Sequence, residues 1–339
     1  MNYMRIIFKK FKARMIVGCI LAVIALLAVS VIVFINQASF GRTPRGERLE
    51  RVMKSPNYRN GEFKNQHETL LMTSDRGRFS GIWEFIFRKI DGLRPEQAVK
   101  AIKTDLRKIG RNEEILVWFG HSSYLIQTGG KRILVDPVFC MASPVSFVNK
   151  PFKGTELYTP DDMPDIDYLV ISHDHWDHLD YNTVKKLKDR IGAVICPLGV
   201  GEHFEYWGFD KERLIELDWN EDANLAPGFM IHCLPARHFS GRGLTANQSL
   251  WASFLLEAPS QKIYIGGDGG YDTHYAEIGN RFPGIDLAIL ENGQYNEEWS
   301  LIHLMPQYMA QTARDLKAKR VLTVHHSKYA LSLIHISEP

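Results

Sequence analysis

His173-Asp174-His175-Trp176-Asp177-His178 follows directly on Asp167-Tyr168-Leu169-Val170-Ile171-Ser172. The lead-in is short, apolar and β-branched, the pattern of a buried strand. Such a strand delivers the polar run at its C-terminal end, where α/β folds place their chemistry. Three imidazoles and two carboxylates lie within these six residues. They cannot form a hydrophobic core, and left alone they would repel one another or stay half-satisfied. A divalent cation resolves the conflict, because neutral His nitrogen and ionised Asp oxygen are preferred zinc ligands. The competing reading, a solvated polar loop that happens to be His-rich, leaves the strand before it and the H-x-H-x-D-H spacing without a cause.

That spacing resembles the signature of the metallo-β-lactamase superfamily. The resemblance implies an α/β fold, a four-layer αββα sandwich, holding one or two metal ions. Carried over residue by residue, it implies His173 and His175 at the first metal, and Asp177 and His178 at the second. Asp174 and Trp176 fall at variable positions. Asp174 reads as a residue behind the ligands or in solvent, and Trp176 as a packing residue.

Four residues cannot complete two metal sites, so further ligands must come from strand ends downstream. Phe229-Met230-Ile231-His232-Cys233-Leu234-Pro235-Ala236-Arg237-His238 reads as a strand ending at His238, with His232 structural inside it. The A-R-H-F-S run resembles the superfamily's third metal His, which implies that His238 completes the first site. Lys262-Ile263-Tyr264-Ile265-Gly266-Gly267-Asp268 reads the same way, and its glycines permit close backbone approach. Asp268 alone could cap the next helix; the G-D-x-G-Y pattern resembles the family's bridging aspartate. Arg320-Val321-Leu322-Thr323-Val324-His325-His326 brings the last strand. Its likeness to the family's final strand implies His325 as the last ligand, with His326 as the alternative. His303 resembles a substrate-side His of the phospholipase branch, although Met305 stands where that branch has an acidic residue. It is either an acid/base residue beside the ligands or a surface His. His121, in Gly120-His121-Ser122-Ser123, either hydrogen-bonds near the metals or caps the strand turn, and the cap is preferred. His67, His203 and His274 lack a strand-end setting and receive no site role. The implied cofactors are two Zn2+ ions, with iron or manganese as alternatives; Asp177, Asp268 and His303 are the residues expected to take part in catalysis.

Working outward, 24% charged and 45% hydrophobic residues are ordinary for a globular chain of 339 residues. The net charge of +2 argues against a dedicated nucleic-acid surface. The basic excess is local: Arg5, Lys9, Lys10, Lys12 and Arg14 precede an uncharged apolar run over 15–35. At ~1.5 Å per residue that run spans roughly 30 Å, a bilayer's hydrocarbon core. It reads as an uncleaved transmembrane anchor over 15–36, with 1–14 a cytoplasmic basic flank and the rest extracytoplasmic, periplasmic or on the surface if the cell is bacterial. A cleaved signal peptide is the competing reading. Cys19 lies inside the apolar run; no C-x-x-C occurs, so Cys140, Cys196 and Cys233 read as buried free thiols.

Turn-rich residues 41–64 read as a collar, part of a collar and helical region over 37–112. Residues 82–90 form an aromatic patch, either resting on the membrane or packing on the sandwich. Residues 95–109 show helical spacing behind Pro95. The hydrolase domain is expected over 113–330. It opens with strands over 115–119, 124–127 and 132–135, the last two joined by a Gly129-Gly130 hairpin. The Pro-rich loop 139–165 is long enough to border the site or a substrate groove. A helix is expected over 180–190, capped by Asp180. Residues 331–339 look like the translation of a sequencing adapter, so the natural chain is expected to differ after about Ala330.

The G-H-S-S and Asp136-Pro137 segments resemble the superfamily branch close to the ascorbate-lactonate hydrolases and the N-acyl-phosphatidylethanolamine-hydrolysing phospholipase D. The resemblance covers roughly residues 40–330. It implies a membrane-anchored zinc phosphodiesterase acting on a membrane phospholipid of that type. The alternatives are a lactonase or other C–O or C–N hydrolase, and a non-catalytic metal-binding envelope protein. The last conflicts with a seven-residue ligand set, because structural zinc sites close with four.

Overall fold

Gly129 and Gly130 both have positive φ, 52° and 78°, and join strands paired through Thr128 and Lys131. A two-residue turn with positive φ at both positions matches the strands' right-handed twist, and glycine takes it without steric cost. This hairpin lies in the larger part of a computed structural model that describes residues 2–73, 94–145, 148–293 and 295–330. The chain divides into two units, Met1–Phe40 and Gly41–Pro339.

In the first unit, helix α1 runs from Asn2 to Ile35. Its stretch Lys10–Ile35, 26 residues of mean hydropathy 3.2, is long and apolar enough to cross a bilayer. Leu21, Leu26 and Val33 are exposed along it. By length and composition the same helix fits a membrane span or a signal sequence. It starts well before residue 15, because Met, Lys and Arg of the basic flank are good helix formers and nothing there stops it.

In the second unit, the short helix α2 (Gly46–Lys54) and the two-stranded pair β1 (Tyr58–Arg59) and β2 (Glu62–Phe63) precede two six-stranded sheets. The first sheet runs in order through β3 (Ile115–Trp118), β4 (Tyr124–Thr128), β5 (Lys131–Val135), β6 (Ile166–Val170), β7 (Ile191–Pro197) and β8 (Leu214–Leu217). From β5 to β8 the strands are parallel. The second sheet runs through β9 (Asp222–Ala226), β10 (Phe229–Leu234), β11 (Ser253–Glu257), β12 (Lys262–Ile265), β13 (Leu287–Glu291) and β14 (Val321–Val324), the last three parallel.

Side chains alternate across each strand, and both faces are apolar. Ile126, Ile133, Val135, Val170 and Ile195 of the first sheet meet Ile231, Phe254, Leu256 and Ile263 of the second. Their neighbours Leu125, Leu134, Leu169 and Val194 face outward onto α3 (Tyr181–Leu187) and α4 (Gly201–Tyr206) through Val184, Leu187 and Phe204. On the other side Leu255, Tyr264, Ala288 and Leu290 meet α5 (His274–Arg281) and α6 (Pro306–Asp315) through Tyr275, Ile278 and Met309. The layers are therefore helix, sheet, sheet, helix.

Five expectations need correction. The collar over 41–64, expected to be irregular, contains α2 and the β1–β2 pair. The strands expected to end at His238 and Asp268 end at Leu234 and Ile265, so both residues lie on the loops that follow. Residues 95–109 do not form a helix; only Leu106–Lys108 make a 3-10 turn. The segment's donors are taken elsewhere, Val99 N–H by the Lys153 carbonyl and Thr104 N–H by the Tyr158 hydroxyl. Ile102, part of the supposed apolar stripe, is exposed. The helix expected over 180–190 is α3 followed by a 3-10 turn at Lys188–Arg190, with Asp180 capping Asn182 N–H at 3.0 Å as expected. Cys196 and Cys233 are buried free thiols, but Cys140 is exposed because it lies on the loop after β5. The aromatic patch 82–90 and the adapter-like residues 331–339 lie outside the described residues.

Collar residues 41–73 belong to the same compact unit as the sheets. Val52 and Phe63, both fully buried, fill the core between the sheets. Phe63→Ala is expected to destabilise this unit by about 3–5 kcal/mol. Urea unfolding followed by tryptophan fluorescence measures it; an unchanged midpoint would mean that the collar is a passive spacer.

Candidate metal centre

Beyond β6 the chain cannot continue as a strand. Ser172 N–H and Oγ–H both donate to the Asp136 carboxylate, at 2.8 and 2.6 Å. The His175 carbonyl then accepts from His178 N–H and Leu179 N–H, which closes the motif into a tight turn. This turn carries His173, Asp177 and His178 on short backbone reach from one strand end.

His173, His175 and His238 bring one ring nitrogen each within 4.8 Å of one another. The hydrogen bonds behind them fix which nitrogens face inward. His238 Nδ1 lies 2.8 Å from the Ile302 carbonyl, so it carries the proton and leaves Nε2 with a lone pair. Ser172 Oγ spends its proton on Asp136, so it accepts from His173 Nδ1 at 3.0 Å, and His173 Nε2 also faces inward bare. His173 Nε2 and His238 Nε2 lie 2.9 and 3.3 Å from His175 Nδ1.

A second group gathers His121, Asp177, His178 and His325. Asp268 lies between the two groups. Its carboxylate is 3.2 Å from His178 Nε2, 3.0 Å from His325 Nε2 and 3.9 Å from His238 Nε2. Asp177 Oδ2 lies 3.0 Å from His121 Nε2 and 3.7 Å from His325 Nε2. His178 Nδ1 is 2.9 Å from Asp136 Oδ2, the carboxylate support a ligand His uses to fix its ring.

Charge follows the same division. Burial, then neighbouring imidazoles, push His173 and His238 well below the usual histidine range. Burial and His325 push His121 down to about 3. Burial also works against protonation of His178 and His325, but the carboxylates around them together lift both: Asp268 and Asp136 for His178, and Asp268, Asp177 and Glu291 for His325, which rises to about 10. Asp177 and Asp268 stay well below the carboxylate range despite burial, held by the surrounding imidazoles. The pocket therefore demands positive charge beside its carboxylates. Asp268 Oδ1 and both ring nitrogens of His325 are buried without an aligned hydrogen bond among the described residues. Bare inward nitrogens, ionised carboxylates and orphaned donor atoms together fit a metal pair.

All seven residues expected as ligands, His173, His175, Asp177, His178, His238, Asp268 and His325, are thus brought together. His326 is turned away; its ring packs on Trp118 and its Nδ1 meets Ser327 Oγ. His325 has φ 68°, and His121 has φ 53°. The two backbones hold each other there: His325 N–H donates to the His121 carbonyl and His121 N–H to the His326 carbonyl, both 3.0 Å. Strained φ values kept by such mutual bonds are typical of functional sites. His121 is therefore beside Asp177 as well as at the strand turn.

His303 is buried, and its Nδ1 lies 2.8 Å from Glu291 Oε2. Glu291, buried at the end of β13, also accepts from Gly269 N–H and Leu304 N–H. Sequence reading missed both Glu291 and Asp136 as partners of site residues. The one available signal was their position at strand ends, shared with the ligands.

Asp174 is buried behind the ligands, bound by Ser249 Oγ–H, Gly241 N–H and His203 Nε2. His203 in turn accepts from Arg42 N–H at Nδ1, 3.0 Å away. Trp176 packs under the Arg242 guanidinium, 4.1 Å from its ring centre. His67 pairs with Asp272 at the surface, and His274 is driven down to about 4 by burial; neither belongs to the groups above. The loop after β5 does reach the site's border. Its Phe152 N–H donates to the Lys328 carbonyl, Lys328 Nζ donates to the Val138 carbonyl, and the adjacent Tyr329 ring lies 5.1 Å from that of His121.

Comparison with known proteins gives a consistent picture. Residues 131–326 match the model of the beta-lactamase superfamily domain. An uncharacterized protein of Mycobacterium tuberculosis is 36% identical over 295 residues, 84% of this chain and 78% of its own length. The N-acyl-phosphatidylethanolamine-hydrolyzing phospholipase D 1 of Caenorhabditis elegans is 29% identical over 231 residues, 63% of this chain and 64% of that protein. The diiron β-hydroxylase CmlA of Streptomyces venezuelae shares the fold, with TM-score 0.51 at 18% identity over 65% of this chain and 47% of that one.

Proposed function

Because this chain belongs to the metallo-β-lactamase superfamily and is one of its metal-dependent hydrolases, we propose that it is a dinuclear zinc phosphodiesterase of phospholipase D type, acting on N-acyl-phosphatidylethanolamine-like lipids. The observation that carries the hydrolytic reading is Asp268, an ionised carboxylate held between two histidine groups. The similarity to the nematode phospholipase supports the lipid substrate.

His173, His175, His238 and Asp268 would hold one ion, and Asp177, His178, Asp268 and His325 the other. The same nitrogen and oxygen donors suit iron or manganese. When bound, such a pair supplies a water acidic enough to attack near neutral pH and positive charge for the developing transition state. The chain's own part is to fix the donors and manage protons. Asp136, Ser172 and the Ile302 carbonyl orient the rings of His178, His173 and His238. Water's oxygen joins phosphorus, the bond from phosphorus to the N-acylethanolamine oxygen breaks, and that oxygen needs a proton. His303, its Nδ1 committed to Glu291, has Nε2 left to deliver it. Helix α1 serves in this reading as an uncleaved anchor, with the basic flank cytoplasmic and the hydrolase unit beside extracytoplasmic lipid.

The test uses full-length protein loaded with zinc in mixed micelles of N-acyl-phosphatidylethanolamine, with phosphatidic acid followed by mass spectrometry and His175→Ala as blank. Release by the parent alone is the expected result. No release from protein verified to hold two metal ions would sink the lipid reading and redirect the search to lactones and soluble phosphodiesters.

A further inference from the structure

The collar lies outside the stretch that matches the family model, which starts at residue 131. Yet its residue Asn65 grips the backbone of a metal-centre residue from both sides. Asn65 Nδ2–H donates to the His238 carbonyl at 2.8 Å, and Asn65 Oδ1 accepts from His238 N–H at 3.1 Å. The same Oδ1 accepts from the buried Trp251 indole at 3.1 Å. A side-chain amide bonded to both polar groups of one residue fixes that peptide in rotation as well as position.

The neighbouring bonds show that this grip belongs to a strap. Phe63 N–H donates to the Asn247 carbonyl, and Asn247 exchanges hydrogen bonds with Ser240, two residues after His238. On the other flank, Arg237 donates to Thr69 Oγ1 and to the Glu68 carbonyl. Residues 63–69 therefore hold the loop 237–240 on both sides of His238. The strap also walls a groove of about 610 Å³, lined by Lys64, Asn65, Leu70, Leu71, Trp251 and His238 among others.

His238 is the one residue of its group that arrives from the second sheet; His173 and His175 come from the turn after β6. It sits four residues past the end of β10, so the strand alone does not fix it. We propose that Asn65 is the positioning residue of the first metal site: through the His238 backbone it sets the third imidazole against the other two, and through the strap it couples that site to the groove wall. The inference rests on the metal-dependent reading of the centre and not on the identity of the substrate.

The test measures metal affinity in the full-length protein in detergent micelles, by cobalt competition with a chromophoric chelator and by the cobalt absorption bands. Asn65→Asp keeps the side-chain volume and the acceptor for His238 N–H, but sets two oxygens face to face at the His238 carbonyl. Asn65→Ala removes the whole grip. Asn57→Ala is the control: it removes another collar bond, to Asp218 at 2.8 Å, a residue outside both ligand groups. Both Asn65 variants are expected to weaken cobalt binding at one of two sites about tenfold and to shift its bands, the size of effect known for groups that support ligands. Asn57→Ala is expected to bind like the parent at an equal or lower melting temperature. Affinity and bands in Asn65→Asp indistinguishable from the parent would overturn the proposal, and so would an equal loss in Asn57→Ala. A phosphodiester reporter run alongside should show lower kcat at unchanged KM. If the parent itself is silent on that reporter, the substrate reading fails while the affinity comparison still decides the role of Asn65.

Discussion

Asp268→Ala is expected to lower kcat by about 10³-fold or more, as removing several kcal/mol of charge stabilisation requires. It is also expected to reduce bound metal below two ions per chain. The reason is position. Among the described residues, Asp268 is the one carboxylate within 4 Å of His178, His238 and His325 together, so its loss opens both sites at once. It also removes the largest of the charges that lift His178 and His325, and leaves two buried imidazoles facing each other with less to hold them. Asp268→Asn preserves shape and one oxygen donor, and should fold even if the alanine variant does not. It is expected to lose activity on the same scale while retaining the melting temperature of metal-free parent protein. Elemental analysis of both purified variants, with activity on whichever substrate the parent cleaves, checks the prediction. Full activity in Asp268→Asn would remove Asp268 from the catalytic centre.

Glu291→Gln should separate proton handling from metal binding. The carboxylate of Glu291 accepts from His303 Nδ1–H and from two backbone N–H groups. Glutamine can keep its oxygen toward Gly269 and Leu304, but then presents an amide N–H to His303. His303 Nδ1 must become the acceptor, so the ring's proton moves to Nε2 and the charged form loses its support. A loss of about 10²–10⁴ in kcat, the usual weight of general acid–base catalysis, is expected with metal content unchanged. A substrate with a leaving group that needs no proton, such as a nitrophenolate, should recover most of the loss. Equal loss on both substrates would mean that His303 takes no part in proton transfer.

These two residues also show what the sequence could and could not convey. Asp268 was legible because an apolar strand and paired glycines lead towards it; the same reading pointed to His238, four residues past the end of β10, and to His325 or His326, between which the family resemblance chose. The motif itself was legible because its ligands are contiguous. Glu291 was not, because an acidic residue after a strand is an ordinary turn residue; only its hydrogen bond to His303, twelve positions on, gives it a role. Asp136 is hidden for the same reason, since its partner His178 lies 42 positions away. Residues 95–109 misled because helical spacing is necessary for an amphipathic helix but not sufficient. Their backbone donors found better partners on the loop 150–158. In the collar, turn signals suggested an irregular 41–64, yet the segment holds α2 and the β1–β2 pair; elements this short carry too little periodicity to show, or to mark Phe63 as core.

The contact between His203 and Arg42 has a practical side for anyone cutting this protein into parts. Gly41 turns with φ 69°, and a Cβ there would come within 2.0 Å of His203 Nδ1. One residue on, Arg42 caps that same nitrogen, while His203 supports Asp174 inside the histidine motif. An excised hydrolase that starts at residue 113, where the strands begin, would discard the cap, the Phe63 plug and the Asn65 grip together. The transplantable module has its left edge at Gly41, and a fusion partner joined there has to leave that glycine as it is.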